Sequence, residues 1–155
     1  EDLNEILSSC LYFVTLSAGS RRIKIEKDLA PELPRGMVDR QRIKQALFNL
    51  LFKAMDTLGK EGGMLRVKTT SMTTSDGTPY ASIKIEETRA GVSAANLTQT
   101  AHLVCPTPLQ IIHTEETELA VANQIIHAHR GEIQILNTEG IGTTFHISLP
   151  LLAAS

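Results

Sequence analysis

Four polar side chains, Gln45, Asn49, Lys53 and Asp56, recur at helical spacing along one side of the stretch from Asp39 to Leu58. Amides, an ammonium and a carboxylate on one stripe can hydrogen-bond a polar ligand and hold its charge, provided the stripe faces a pocket rather than water. A second group is Glu87-Thr88-Arg89-Ala90-Gly91, which sets a carboxylate and a guanidinium beside a glycine. A third is Thr114-Glu115-Glu116-Thr117-Glu118-Leu119, where three acids precede a helical pattern. In the plainest reading the acids of the third group occupy the first turn of a helix and offset its macrodipole. Glu87 and Arg89 then make a surface ion pair in a turn. His102, His113, His127, His129 and His146 have no nucleophile or acid at useful spacing. His127 and His129 stand two apart, so on a helix they face different ways and make a poor metal pair. Cys10 and Cys105 lack metal-ligand spacing and read as free thiols of a reducing compartment.

The elements that must position these groups belong to one domain spanning residues 1–155, with 42% apolar residues and a formal net charge of −2. Lysines and arginines are scattered, which argues against a nucleic-acid or anionic-membrane surface. No apolar run reaches membrane-spanning length and no signal peptide is visible, so the expectation is a cytoplasmic protein without direct membrane contact. The sequence starts in a helical pattern without an initiating Met, which reads as a fragment of something longer.

Asp39–Leu58 is the best helix, with Ile43, Leu47, Leu50, Leu51, Ala54 and Leu58 on one face, Asp39 as N-cap, and Gly59, Gly62 and Gly63 past its end. Asp2–Leu16 predicts another, with Leu3, Ile6, Leu7, Cys10, Leu11, Phe13 and Val14 inward. Thr114–His129 predicts a third, with Leu119, Ala122, Ile125 and Ile126 inward and Gly131 as its stop. Alternation predicts strands over 22–29, 64–70, 80–86, 132–136 and 143–149. Asp76-Gly77 marks a hairpin turn, 87–93 a second turn, 94–100 a short helix, and 137–142 a last turn. Strand pairs joined by tight turns imply an α+β fold. Its architecture is a two-layer α/β sandwich, with a mixed, mostly antiparallel sheet covered on one face by three helices.

Three segments together resemble the ATP-binding domain of sensor histidine kinases, in the GHKL superfamily with gyrase, Hsp90 and MutL (the Bergerat ATPase fold). QRIKQALFNLLFKAMDTL looks like the family's N-box helix, and GGMLRVKTT with YASIKIEETRAGV like the hairpin leading into its first glycine box. LAVANQIIHAHRGEIQILNTEGIGTTFHISLP looks like its last helix and closing hairpin. The resemblance implies nucleotide-pocket roles for Asn49, Lys53, Glu87, Gly91 and Thr143, and no catalytic or metal-ligating residue in this chain.

At those positions the chain departs from the pattern. Asn49 matches the first N-box asparagine, but Lys53 stands where the second would offer Mg²⁺ an oxygen, and an ammonium has no acceptor. Glu87 keeps the carboxylate that meets the adenine amino group, one methylene longer; Arg89 replaces a glycine, and Gly91 survives. The second glycine box, where helix N–H groups meet the triphosphate, has lost its glycines and gained Glu115, Glu116 and Glu118. One like-charge contact at about 4 Å costs on the order of 4 kcal/mol at an effective dielectric of 20. Micromolar binding is worth only about 8 kcal/mol, so two or three such repulsions erase it. The lid position, Pro106–His113, is short and apolar and is expected to be collapsed. Lys53 reads either as a solvated surface lysine or as a side chain that fills the metal position and pairs with Glu115, Glu116 or Glu118.

The resemblance therefore implies a degenerate, pseudokinase-like module of a bacterial two-component signalling protein, with no cofactor expected. Its partners would be a dimerisation/phosphotransfer domain or a response-regulator receiver domain. The alternative is a divergent but active catalytic domain that uses ATP and Mg to phosphorylate a histidine in an adjoining dimerisation domain. A cyclic dinucleotide ligand has no positive sign in the sequence.

Overall fold

The computed structural model describes residues 1–18, 22–58, 62–89, 107–108, 117–138 and 142–151. In chain order the elements are α1 (Leu3–Ala18), β1 (Ile23–Asp28), α2 (Arg40–Leu58), β2 (Gly63–Thr73) and β3 (Pro79–Arg89). After them come β4 (Thr107–Pro108), α3 (Thr117–Ala128), β5 (Glu132–Thr138) and β6 (Gly142–Pro150). Both long helices start at an aspartate whose Oδ1 accepts from free backbone N–H groups. Asp2 takes those of Asn4 and Glu5, at 2.9 and 3.3 Å. Asp39 takes those of Gln41 and Arg42, at 3.1 and 3.2 Å.

The strands form one sheet in the order β1-β2-β3-β6-β5-β4. Only β1 and β2 run parallel, because α2 lies between them in the chain; the other pairs are antiparallel. The expected α+β sandwich, mixed and mostly antiparallel, is what the chain adopts. Alternate residues of the sheet, among them Leu65, Val67, Ala81, Ile83, Ile85, Ile133, Phe145, Ile147 and Leu149, face the helices and are buried with their apolar stripes. Among the described residues, the buried Thr69 beneath α1 is fully paired. Thr69 Oγ1 accepts from the Ala30 amide at 2.8 Å and donates to Asn4 Oδ1 at 2.9 Å, while Asn4 Nδ2 donates to Ala30 O at 2.6 Å.

Some expectations need correction. The β2–β3 hairpin is longer than alternation implied. Asp76-Gly77 sits in a five-residue connection, with Gly77 at φ 89°, and the pairing runs on to Gly63↔Arg89. Glu87 to Arg89 are thus strand, not turn. Phe13, expected inward, is half-exposed, because the helix face that meets the sheet is narrower than its apolar arc. The proposed helix over 94–100 lies outside the described residues, as does the lid segment apart from β4.

Helix α3 stops as expected, but not on glycine geometry. Arg130 is the residue at φ 62°; its N–H reaches His127 O at 2.9 Å, and that of Gly131 reaches Ile126 O at 2.9 Å. Gly131 is required for another reason: a Cβ there would lie 2.4 Å from Ser148 O. A left-handed conformation costs an L side chain more than glycine. Arg130→Gly is therefore expected to stabilise the fold by about 1 kcal/mol, read as a higher urea midpoint at unchanged slope.

Candidate functional site

Of the two sequence readings of Glu87, a surface acid in a turn and a pocket carboxylate, the structure excludes the exposed one, because it buries the residue. It continues the inward row Ala81, Ile83, Ile85 of β3 and is 1% exposed. Among the described residues, neither carboxylate oxygen completes a hydrogen bond at full bonding geometry, although the Thr143 hydroxyl and backbone amide lie close enough to favour the ionised form and the Arg89 charge acts on it without a hydrogen bond. Burial pushes the carboxyl up to about 7. The nearby Thr143 side chain, the charges of Arg89 and Lys53, and the Thr143 backbone pull the other way without prevailing.

Three elements converge on this carboxylate. Thr143 on β6 is the register partner of Glu87. Helix α2 packs across β3 and brings the half-buried Lys53 close enough for its charge to act on Glu87. Asn49, one turn earlier on α2, is half-buried on the same side. So Lys53, Glu87 and Thr143 come together, with Asn49 adjacent on α2. Gly91 lies outside the described residues, as do Glu115 and Glu116 and the side chain of Glu118, so the expected Lys53 pairing concerns residues the structure does not describe.

Gly142 was missed. Read as part of a turn, it is the first residue of β6, and a Cβ on it would fall 1.9 Å from Glu87 O. Only glycine lets β6 approach β3 at this point. The signal was the glycine immediately before Thr143 in the closing hairpin.

The arrangement supplies a hydrogen-bonding carboxyl that titrates near neutrality, beside an ammonium and a hydroxyl, inside an apolar layer. The Cys10 thiol is buried and pushed up to about 11. On the open sheet face Ser82 Oγ lies 2.7 Å from His146 Nε2, and burial holds that imidazole below its ordinary pKa. His129 is structural. Its Nε2 accepts from the Asp39 amide at 3.0 Å and its Nδ1 lies 2.8 Å from Ile125 O, which ties α3 to the start of α2. No group of metal ligands occurs among the described residues, and no helix among them is long and apolar enough to cross a membrane. A cleft of about 500 Å³ lined by Tyr80, His127, Arg130 and Ser148 opens near the other end of β3.

Residues 38–153 match the family of histidine kinase-, DNA gyrase B-, and HSP90-like ATPases. The chain belongs to this family. Sensor histidine kinase ZraS of Escherichia coli K12 is 30% identical over 152 residues, covering 97% of this chain and 30% of that protein. The histidine-protein kinase AtoS of the same organism is 27% identical over 149 residues, covering 96% of this chain and 23% of the relative. The chain thus spans less than a third of either relative. Among solved structures, the nucleotide-free catalytic domain of histidine kinase ThkA superposes with a TM-score of 0.71 at 22% identity, covering 97% of this chain and 92% of that one. ThkA in complex with the response regulator TrrA gives 0.70 at 21% identity, covering 98% of this chain and 41% of that one. These likenesses concern the fold. Within the histidine kinase-like ATPase family, the end of β3, the start of β6 and the middle of α2 are where the sequence resemblance put the nucleotide pocket.

Proposed function

We propose that this chain is the histidine kinase-type ATPase domain of a bacterial two-component sensor in which tight Mg-nucleotide binding has been lost, and that it works as a regulatory or scaffold module. The observation that carries the reading is the placement of Lys53, whose charge acts on Glu87 from the helix position that would need an oxygen ligand for the metal. One half of the ligand fits: the buried Glu87 carboxyl, with the Thr143 hydroxyl beside it, suits the amino group of a purine base. The metal-polyphosphate half does not fit. The ammonium cannot ligate a cation, and the Glu115, Glu116 and Glu118 segment adds negative charge where a triphosphate would need neutral N–H groups.

The partners of such a module are a dimerisation/phosphotransfer domain or a response-regulator receiver domain, and its setting is cytoplasmic. The ThkA complex with a response regulator supports this class of partner by analogy. The second reading, an active domain that uses ATP with altered chemistry, is favoured by one feature: the retained, buried Glu87 opposite Thr143.

Thermal unfolding with ATP or ADP, with and without magnesium, separates the two. A ligand at a hundred times its Kd stabilises by about 2.7 kcal/mol. We expect no shift at millimolar Mg-ATP. A magnesium-dependent rise of several degrees would reject the scaffold reading. Combining Lys53→Asn with glycine at positions 115, 116 and 118 should create binding where none existed.

A further inference from the structure

Strand register assembles, on the open face of the sheet, a group of side chains that no single stretch of sequence shows. The partners Lys68↔Lys84 and Lys84↔His146 set two ammonium groups and an imidazole in one row across β2, β3 and β6. Neighbouring strands lie about 4.8 Å apart, so the row spans about 10 Å. Two residues along, the partners Thr70↔Ser82 and Ser82↔Ser148 make a second row, of hydroxyls. The rows join where Ser82 Oγ meets His146 Nε2 at 2.7 Å. Lys68 and Lys84 are exposed, His146 is half-buried and Ser82 is buried between them.

The cation row breaks a rule that its neighbour obeys. Like charges directly opposite one another weaken a sheet. One row over, Arg66 has Glu26 and Glu86 as its register partners and binds Glu26 at 3.2 Å. Among the described residues neither Lys68 nor Lys84 forms an ion pair, although Asp28 is the β1 partner of Lys68. His146 registers the crowding. Burial first, and then the charge of Lys84, hold its imidazole below the ordinary value, while Glu132 pulls the other way.

We propose that this face binds a single phosphoryl group, held between Lys68 and Lys84 with Ser82 and His146 as its hydrogen-bonding floor. A tetrahedral dianion offsets both ammonium charges at once, and it offers these donors more oxygens than a planar carboxylate does. In the bound form the imidazole carries both its protons. Nε2–H donates to Ser82 Oγ, and the hydroxyl turns its own hydrogen to the anion. The margins select a compact ligand. Asp28 stands at one end of the cation row, Glu86 lies two residues beyond Lys84 on β3, and Glu132 is the partner of Ser148. A nucleic-acid strand or an anionic bilayer laid across the face would meet these acids, whereas one phosphoryl group can stay on the cations. Glu87 points to the other side of the sheet, so this site is separate from the nucleotide question.

NMR titration of the 155-residue chain with millimolar inorganic phosphate and, separately, glycerol phosphate, each against sodium chloride at equal ionic strength, tests it. We expect saturable shifts with Kd on the order of 1 mM, as a few charge-assisted bonds on an open face give. The midpoint of the His146 titration should rise by about half a pH unit or more at saturation, because a bound dianion favours the imidazolium. Lys84→Gln should weaken binding at least tenfold and Lys68→Gln several-fold, while Lys84→Arg should retain it. Arg66→Gln, in the ion-paired row, should leave Kd unchanged, with circular dichroism confirming that all variants are folded. Tighter binding of the ester makes a phosphorylated small molecule the occupant, and tighter binding of the ion makes it inorganic phosphate; both orders support the site. Shifts no larger than those with chloride overturn the proposal. So do shifts that persist undiminished in Lys84→Gln, a His146 midpoint that stays fixed at saturation, or a preference for phosphatidylserine vesicles or a single-stranded oligonucleotide over phosphate.

Discussion

Replacing Glu87 by glutamine is expected to stabilise the protein at pH 8 by about 1–3 kcal/mol and to remove a slope in its stability between about pH 4.5 and 7. The sign follows from where the proton sits. The unfolded carboxyl titrates near its ordinary value of about 4.3, and burial in the fold holds it up at about 7. Between the two values the native protein keeps a proton that the unfolded chain releases. Stability is then highest below the lower value, falls as pH rises through the window, and levels off above 7. At 1.36 kcal/mol per pKa unit the whole effect is on the order of 3 kcal/mol. The amide of glutamine carries no charge to desolvate but still needs hydrogen-bond partners, so part of that gain is given back.

Lys53 from α2, Arg89 on β3 and Thr143 on β6 all favour the ionised form, and they limit the shift without abolishing it. His146 contributes with the opposite sign. Its lowered pKa makes the folded state weaker as pH drops below about 6.5. The difference between wild type and variant cancels that term, so urea unfolding of both proteins at half-unit pH steps gives the Glu87 contribution directly. Parallel curves for the two proteins would mean that the carboxyl is solvated and the site wrongly placed.

Gly142→Ala is expected to cost about 3 kcal/mol or more, or to prevent folding. The added methyl would sit 1.9 Å from the Glu87 carbonyl oxygen and 3.3 Å from Thr88 Cα. Neither is the movable end of a flexible side chain, so β6 must withdraw from β3. That withdrawal breaks the Glu87↔Thr143 and Thr88↔Gly142 pairing and opens the apolar layer around the carboxyl. Gly77→Ala is the control. Its φ of 89° makes alanine strained, but nothing lies within 4 Å of the new Cβ, so the cost should be only about 1 kcal/mol. If the two variants unfold at the same urea concentration, the close β3–β6 approach is not what holds this end of the sheet.

Much of this molecule could be read from one chain of letters. The long helices declare themselves through period and cap. Asp39 does accept the first amides of α2, and the apolar positions assigned to that helix are buried. The inward face of α3 was equally legible in Leu119, Ala122, Ile125 and Ile126. The hairpins were visible too, though short of their true length, because alternation loses contrast where polar residues such as Ser71, Thr73 and Thr88 continue a ladder.

Local pattern determined the elements, their order and the sandwich class, since those depend on period, caps and turn residues within a few positions of one another. It also brought Asn49, Lys53, Glu87 and Thr143 under one heading by resemblance. Tertiary structure alone decided what environment they share. Glu87 reads as a turn acid, and it becomes a buried one because β6 pairs alongside β3 and extends the strand past it. Phe13 reads as core and lies half-exposed because the core has room for only part of an apolar arc. In both residues the side chain's chemistry was known from the sequence, but its distance from water was set by segments dozens of positions away, and that distance governs the pKa of one and the availability of the other.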